Sequence, residues 1–127
     1  MERRRVFSGS PYEQRVGFCR AVAAGPYVHI AGTAPIMADG GDPPPDAYGQ
    51  TKRCLEIIVA ALAELGAGPE HVVRTRLYLT DADDIDEIGR AHAEVFGAAP
   101  PVATGVVTRL LDPRWRIEIE ADAFLGG

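Results

Sequence analysis

Cysteine, serine and histidine are scarce in this chain, and each scarcity closes off a kind of chemistry. Two cysteines, Cys19 and Cys54, are too few for a disulfide framework and suit a reducing cytoplasm. There is no Cys-x-x-Cys pair, and His29, His71 and His92 show neither His-x-His nor His-x-x-x-His spacing, so no metal site is expected. Ser8 and Ser10 are the only serines. They lie near a terminus expected to be mobile, and no Gly-x-Ser-x-Gly elbow exists, which leaves a nucleophilic triad without support. No Gly-x-x-x-x-Gly-Lys or Gly-x-Gly-x-x-Gly loop is present to cradle nucleotide phosphates. No apolar run approaches the roughly 18 residues of a membrane span, so no membrane partner is expected. The basic start, Met1 to Arg5, is followed by no apolar stretch, so no secretory signal is expected. The net charge of −5 argues against a broad basic surface, so no nucleic-acid partner is expected.

The 127 residues are 46% hydrophobic and 24% charged, the profile of a globular chain. They suffice for one domain, residues 1–127, that buries about two-thirds of its unfolded surface. Phe18 to Ala24 and Tyr27 to Ile36 read as two strands joined at Gly25-Pro26. Gly40-Gly41 and Pro43-Pro44-Pro45 read as a surface loop. Asp46 can cap a helix running to about Leu65, with Leu55, Ile58, Leu62 and Leu65 on one face and Gly66 as its stop. Val72 to Leu79 alternates, with Val73, Thr75, Leu77 and Leu79 on one side and Arg74, Arg76 and Tyr78 on the other.

A second helix is expected from near Asp83, its first turn rich in acid, its stripe Ile85, Ile88, His92 and Val95, and its stop Gly97. Val102 to Arg109 reads as a strand and Asp112-Pro113 as a turn. The last strand alternates most cleanly: Trp115, Ile117, Ile119, Ala121 and Ala123 against Arg116, Glu118, Glu120 and Asp122. The order predicts an α+β sheet with two long helices on one face. The other face then carries Arg74, Arg76, Glu118 and Glu120. It is either solvated or set against other subunits.

Among groups that could carry chemistry, His92 reads as a packed side chain and Cys54 as a small buried hydrophobe. Cys19 reads as inert. What remains is carboxylate and guanidinium: Glu118 and Glu120 on the last strand, and Arg20 with the side-chain parity of Phe18. Such a set is either a structural ion pair or a catalytic one.

Several segments together resemble the RidA/YjgF superfamily, also called endoribonuclease L-PSP-like. They are Gly17 to Val22, Val28 to Pro35, Gln50 to Glu56, Val72 to Asp81 and Arg116 to Ala121. The resemblance implies a chorismate-mutase-like subunit in a homotrimer, with three ligand clefts between neighbours. It implies hydrolysis of 2-imino or enamino acids to 2-oxo acids and ammonia, without metal or organic cofactor. On that likeness Glu118 handles water, while Phe18 with Ala31, Gly32 and Thr33 forms the wall. The family's gripping arginine corresponds to Ala103, its neighbour to Thr104, and its cysteine to Gly105. An asparagine on the second helix corresponds to Gly89.

Loss of a bidentate charged contact from a desolvated site costs about 2–5 kcal/mol, which places the deaminase activity in question. Arg20 is then either the replacement anion anchor or a partner of Glu118 or Glu120. The first functional reading is a hydrolase of small C=N compounds. The alternatives are a non-catalytic small-molecule binder and, less favoured, a ribonuclease.

Overall fold

A computed structural model describes residues 2–126. The chain runs β1 (Arg3–Val6), α1 (Pro11–Val16), β2 (Ala21–Ala24), β3 (Tyr27–Thr33), α2 (Ala47–Glu64), β4 (Val72–Leu79), α3 (Ile85–Phe96), β5 (Val102–Val107) and β6 (Ile117–Phe124). The strands form one mixed sheet in the order β1-β2-β3-β6-β4-β5. Every pairing is antiparallel except β4 with β5, which are parallel because α3 crosses between them. No helix among the described residues is long and apolar enough to cross a membrane.

The long helices lie where local chemistry puts them. The Asp46 carboxylate accepts from Gly49 N at 2.8 Å and caps α2. Leu55, Ile58 and Leu62 are buried along one face of that helix, which packs on β3 and β6. Gly66 takes a φ of +79°, a conformation glycine adopts without steric cost, and turns the chain away. Opposite α2, Ile117, Ile119, Ala121 and Ala123 of β6 are all buried. Each fully buried isoleucine or leucine contributes about 1.5–3 kcal/mol, so the covered face carries most of the folding energy. His92 is packed as expected, its Nε2 at 2.9 Å from the Thr75 hydroxyl and its ring 4.7 Å from that of Phe96.

Several expectations need correction. The segment Arg3–Gly17 is ordered: β1 pairs with β2, and Ser10 caps α1 through a bond from Tyr12 N. The Ser8–Ser10 segment is therefore not a loose terminus. Phe18 to Arg20 is not strand, because Gly17 ends α1 in the left-handed region and Phe18 N donates back to Glu13 O. On β4 it is Val72, not Val73, that is buried; a bulge against β6 between Val72 and Arg74 shifts the alternation. Ile85 is exposed, since the acidic run Ala82–Asp84 forms a separate 3₁₀ turn ahead of α3. β5 stops at Val107, and Trp115 lies before β6 rather than in it.

Candidate functional site

The face of the sheet turned away from α2 is where the charges collect. Register places Glu118 opposite Tyr78, Glu120 opposite Arg76, and Asp122 opposite both Arg74 and His29. Residues two apart on a strand share a face, so these side chains form one row. Most of the row is closed on itself. Arg76 Nη1 donates to Glu120 Oε1 and Asp122 Oδ2, both at 3.3 Å. The Tyr78 hydroxyl donates to Glu120 Oε1 at 2.8 Å. That bond, with burial behind it, pushes the Tyr78 pKa up. His29 Nδ1 sits 2.8 Å from Asp122 Oδ1.

Glu118 is the carboxylate that stays outside this network. Among the described residues its carboxylate makes no hydrogen bond and no ion pair. It lies against the backbone of Gly32, where any β-carbon would collide with Oε2. Glycine at this position lets the carboxylate approach the main chain of β3. Burial raises the Glu118 pKa, the Arg20 charge draws it down, and Glu120 adds to the rise; the net shift is upward.

Arg20 stands beside this carboxylate without bonding to it. Its backbone is held to the sheet at both sides, through Arg20 N to Val6 O and Ala31 N to Arg20 O. Its Nη2 donates to Gly32 O at 2.6 Å, and its Nε is buried without a partner. Burial lowers the Arg20 pKa, against the opposing pull of Glu13 and Glu118.

Glu13 is the residue that sequence reasoning missed here. It is buried and accepts from Ser8 N, Ser8 Oγ and Gly9 N. Burial alone would raise its pKa, but those donors prevail and lower it. The Ser8-Gly9-Ser10 run ahead of a carboxylate was the one signal that could have found it.

Glu118 opens into a cleft of about 370 Å³, which Gly32, Tyr78, Arg109, Leu111 and Glu120 also line. Arg20 is not among the lining residues. Phe18, in the link before β2, is 40% exposed. Ala31 and Gly32 are half-buried on β3, whereas Thr33 is fully buried, pairs with Ile119, and donates its hydroxyl to Ala31 O at 2.7 Å. Ala103, Thr104 and Gly105 lie on β5, opposite Thr75, Arg76 and Leu77. Thr104 therefore shares the charged face. Ala103 and Gly105 share the side of the buried Thr75 and Leu77, and within one chain they are not brought to Glu118. Gly89 sits in α3, with open space where a side chain would go.

Neither cysteine is placed for chemistry. Cys54 is fully buried in α2, where burial pushes its thiol well above the usual range. Cys19 Sγ donates to Ala21 O at 3.4 Å. No group of three or more His, Cys, Asp or Glu side chains is arranged to hold a metal among the described residues. A second depression, of about 570 Å³, lies beside Pro43–Pro45. Its two arginines are already bonded, Arg114 to Asp42 and Asp112, and Arg116 to the buried Asp84.

Comparison with known proteins agrees with this architecture. The family model described as endoribonuclease L-PSP matches residues 10–125. A protein of Streptomyces coelicolor is 44% identical over 124 residues, covering 97% of this chain and 92% of its own length. A RutC family protein of Pyrococcus abyssi is 33% identical over 108 residues, covering 84% of this chain and 85% of its own. The crystal structure of a YjgF/YER057c/UK114 family member from Mycobacterium tuberculosis superposes with a TM-score of 0.88 at 43% identity, covering 97% of this chain and 99% of that one. With the match of family model, relatives and fold, the chain belongs to the endoribonuclease L-PSP family, the RidA/YjgF superfamily.

Proposed function

We propose that this protein hydrolyses small C=N compounds, imines or enamines, in clefts between the subunits of a homotrimer. The observation that carries the reading is Glu118: a half-buried carboxylate with no hydrogen-bond partner among the described residues, facing an open cleft beside the bonded Arg76, Glu120 and Asp122. A carboxylate so placed can accept a proton from water as the water oxygen bonds to the imine carbon. Returning that proton to nitrogen gives a carbinolamine, and moving the remaining hydroxyl proton to the amine through the same carboxylate lets the C–N bond break as the C=O bond forms. One imine and one water then give one carbonyl compound and one ammonia. Burial makes Glu118 a stronger base, while the Arg20 charge favours its ionised form. Arg20 also fixes the Gly32 carbonyl, and so the wall against which Glu118 rests. This chemistry needs neither metal nor organic cofactor.

The trimer is supported by β5. It is an edge strand exposed along its whole length, with Val102, Val106 and Val107 uncovered. An uncovered apolar edge favours burial by another chain. A neighbour covering it would bring residues Ala103 to Gly105 of one subunit toward Phe18, Ala31-Gly32 and Glu118 of the next. Nucleic acid suits the face poorly, because Glu118, Glu120 and Asp122 would repel phosphates.

The test is release of 2-oxo acid and ammonia from 2-imino acids generated in the assay by an amino-acid oxidase. Acceleration by the wild type is expected, reduced about 100-fold or more in Glu118→Gln. No acceleration over the uncatalysed rate would overturn the hydrolase and leave a small-molecule-binding protein in its place.

A further inference from the structure

The cleft beside Glu118 holds a guanidinium that no other described residue bonds. Arg109 lines it together with Glu118, Tyr78 and Gly32. Among the described residues the Arg109 side chain makes no hydrogen bond and no ion pair, in contrast to Arg76, Arg114 and Arg116. Its base is nevertheless fixed. Thr108 N donates to Leu79 O at 2.9 Å, extending the attachment of β5 to β4 up to the residue before Arg109. The side chain therefore springs from an anchored backbone and is exposed where it lines the cleft.

We infer that Arg109 is the anion anchor of this cleft, and that it selects ligands carrying a carboxylate next to the reacting carbon. This rests on the hydrolase reading for the reaction, but not for the binding. Three observations converge on it. Position 103 is alanine and has no charge to offer. Arg20 has committed Nη2 to the Gly32 carbonyl and does not line the cleft. A ligand carboxylate near Glu118 meets a like charge, and a guanidinium lining the same cleft offsets that repulsion through a forked pair of N–H bonds. Leu111, 95% exposed and also lining the cleft, offers apolar surface to an aliphatic substituent on that ligand. The chemical class is thus a small aliphatic 2-imino monocarboxylate, or the 2-oxo acid it becomes.

The experiment is calorimetric titration of the whole protein with 2-oxobutanoate and with its uncharged amide. Wild type is expected to bind the carboxylate more tightly than the amide. Arg109→Ala should weaken carboxylate binding roughly 30-fold and leave amide binding within about threefold. Arg109→Lys should recover part of the loss, because it restores charge without the fork. Thermal melts should coincide, since the side chain is exposed and unbonded. Unchanged carboxylate binding in Arg109→Ala, or equal binding of acid and amide by wild type, overturns the anchor. Imine hydrolysis on the same preparations separates the two failures. Turnover by wild type with carboxylate binding unaltered in Arg109→Ala sinks the anchor alone. An absent turnover with the 30-fold loss intact sinks the hydrolase alone.

Discussion

Glu118 and Glu120 stand two residues apart on one face of β6, yet their surroundings differ. Glu120 takes bonds from Arg76 and Tyr78 and belongs to a network that ends at His29 through Asp122. Glu118 has lost water to burial and gained no donor in return; only the field of Arg20 compensates it. A row of charges that looks uniform in sequence is therefore two regions. One is a hydrogen-bonded network that ties neighbouring strands together, and the other is a carboxylate left open to a ligand. Satisfied hydrogen bonds mark the first, and their absence beside a cleft marks the second.

The largest expected effect breaks the comparison between faces. Ile119 lies between the two glutamates but points into the core, fully buried. Ile119→Ala should cost about 2–5 kcal/mol in denaturant unfolding. Glu120→Gln, which loosens a partly exposed pair, should cost about 1 kcal/mol or less.

Gly32→Ala separates folding from function at the open end. The new methyl collides with the end of a flexible side chain, so the Glu118 carboxylate moves while the fold holds. Imine hydrolysis should fall by roughly 100-fold, as misplacement of about an ångström commonly costs, with the melting temperature little changed. A large loss of stability would show that the Gly32 contact serves packing instead.

Glu13 sharpens the contrast from a third side, because it is a buried carboxylate with every need met. Its pKa is lowered in the folded protein, so its stabilising contribution is present above its unfolded pKa. That contribution is lost as pH falls through the folded value. Glu13→Gln should cost about 1–3 kcal/mol near neutrality, with the gap from wild type closing on acidification. A gap that widened in acid would contradict the assignment.

Arg20 is expected to give the smallest effect, and one of direction only. Arg20→Met removes the charge that draws the Glu118 pKa down. The acid limb of hydrolysis, which needs ionised Glu118, should move to higher pH.

Much of this was legible in the sequence because it rests on local chemistry. Asp46 and Gly66 bracket α2, and strict alternation from Ile117 to Ala123 separates the covered face from the charged one. The family followed from motifs spread along the chain. The unread parts depend on contacts distant in sequence or on elements too short to show a period. β1 and α1 have four and six residues. The bulge between Val72 and Arg74 puts Val72 rather than Val73 in the core, while Thr75, Leu77 and Leu79 keep the expected side. Arg20 shares a parity with Phe18 only if the link before β2 is strand, and it is not. Arg109 and Glu118 share a cleft because β5 and β6 flank β4, a neighbourhood that no spacing announces.

The central claim is that Glu118 is a partly desolvated carboxylate, unpaired and held in check by Arg20. A pH titration of the Glu118 carboxyl carbon by NMR, in wild type and Arg20→Met, tests it without any substrate. The account predicts a midpoint above the ordinary glutamate value of 4.5 and a further upward move in Arg20→Met. A midpoint at or below that value, or one indifferent to Arg20, would contradict it.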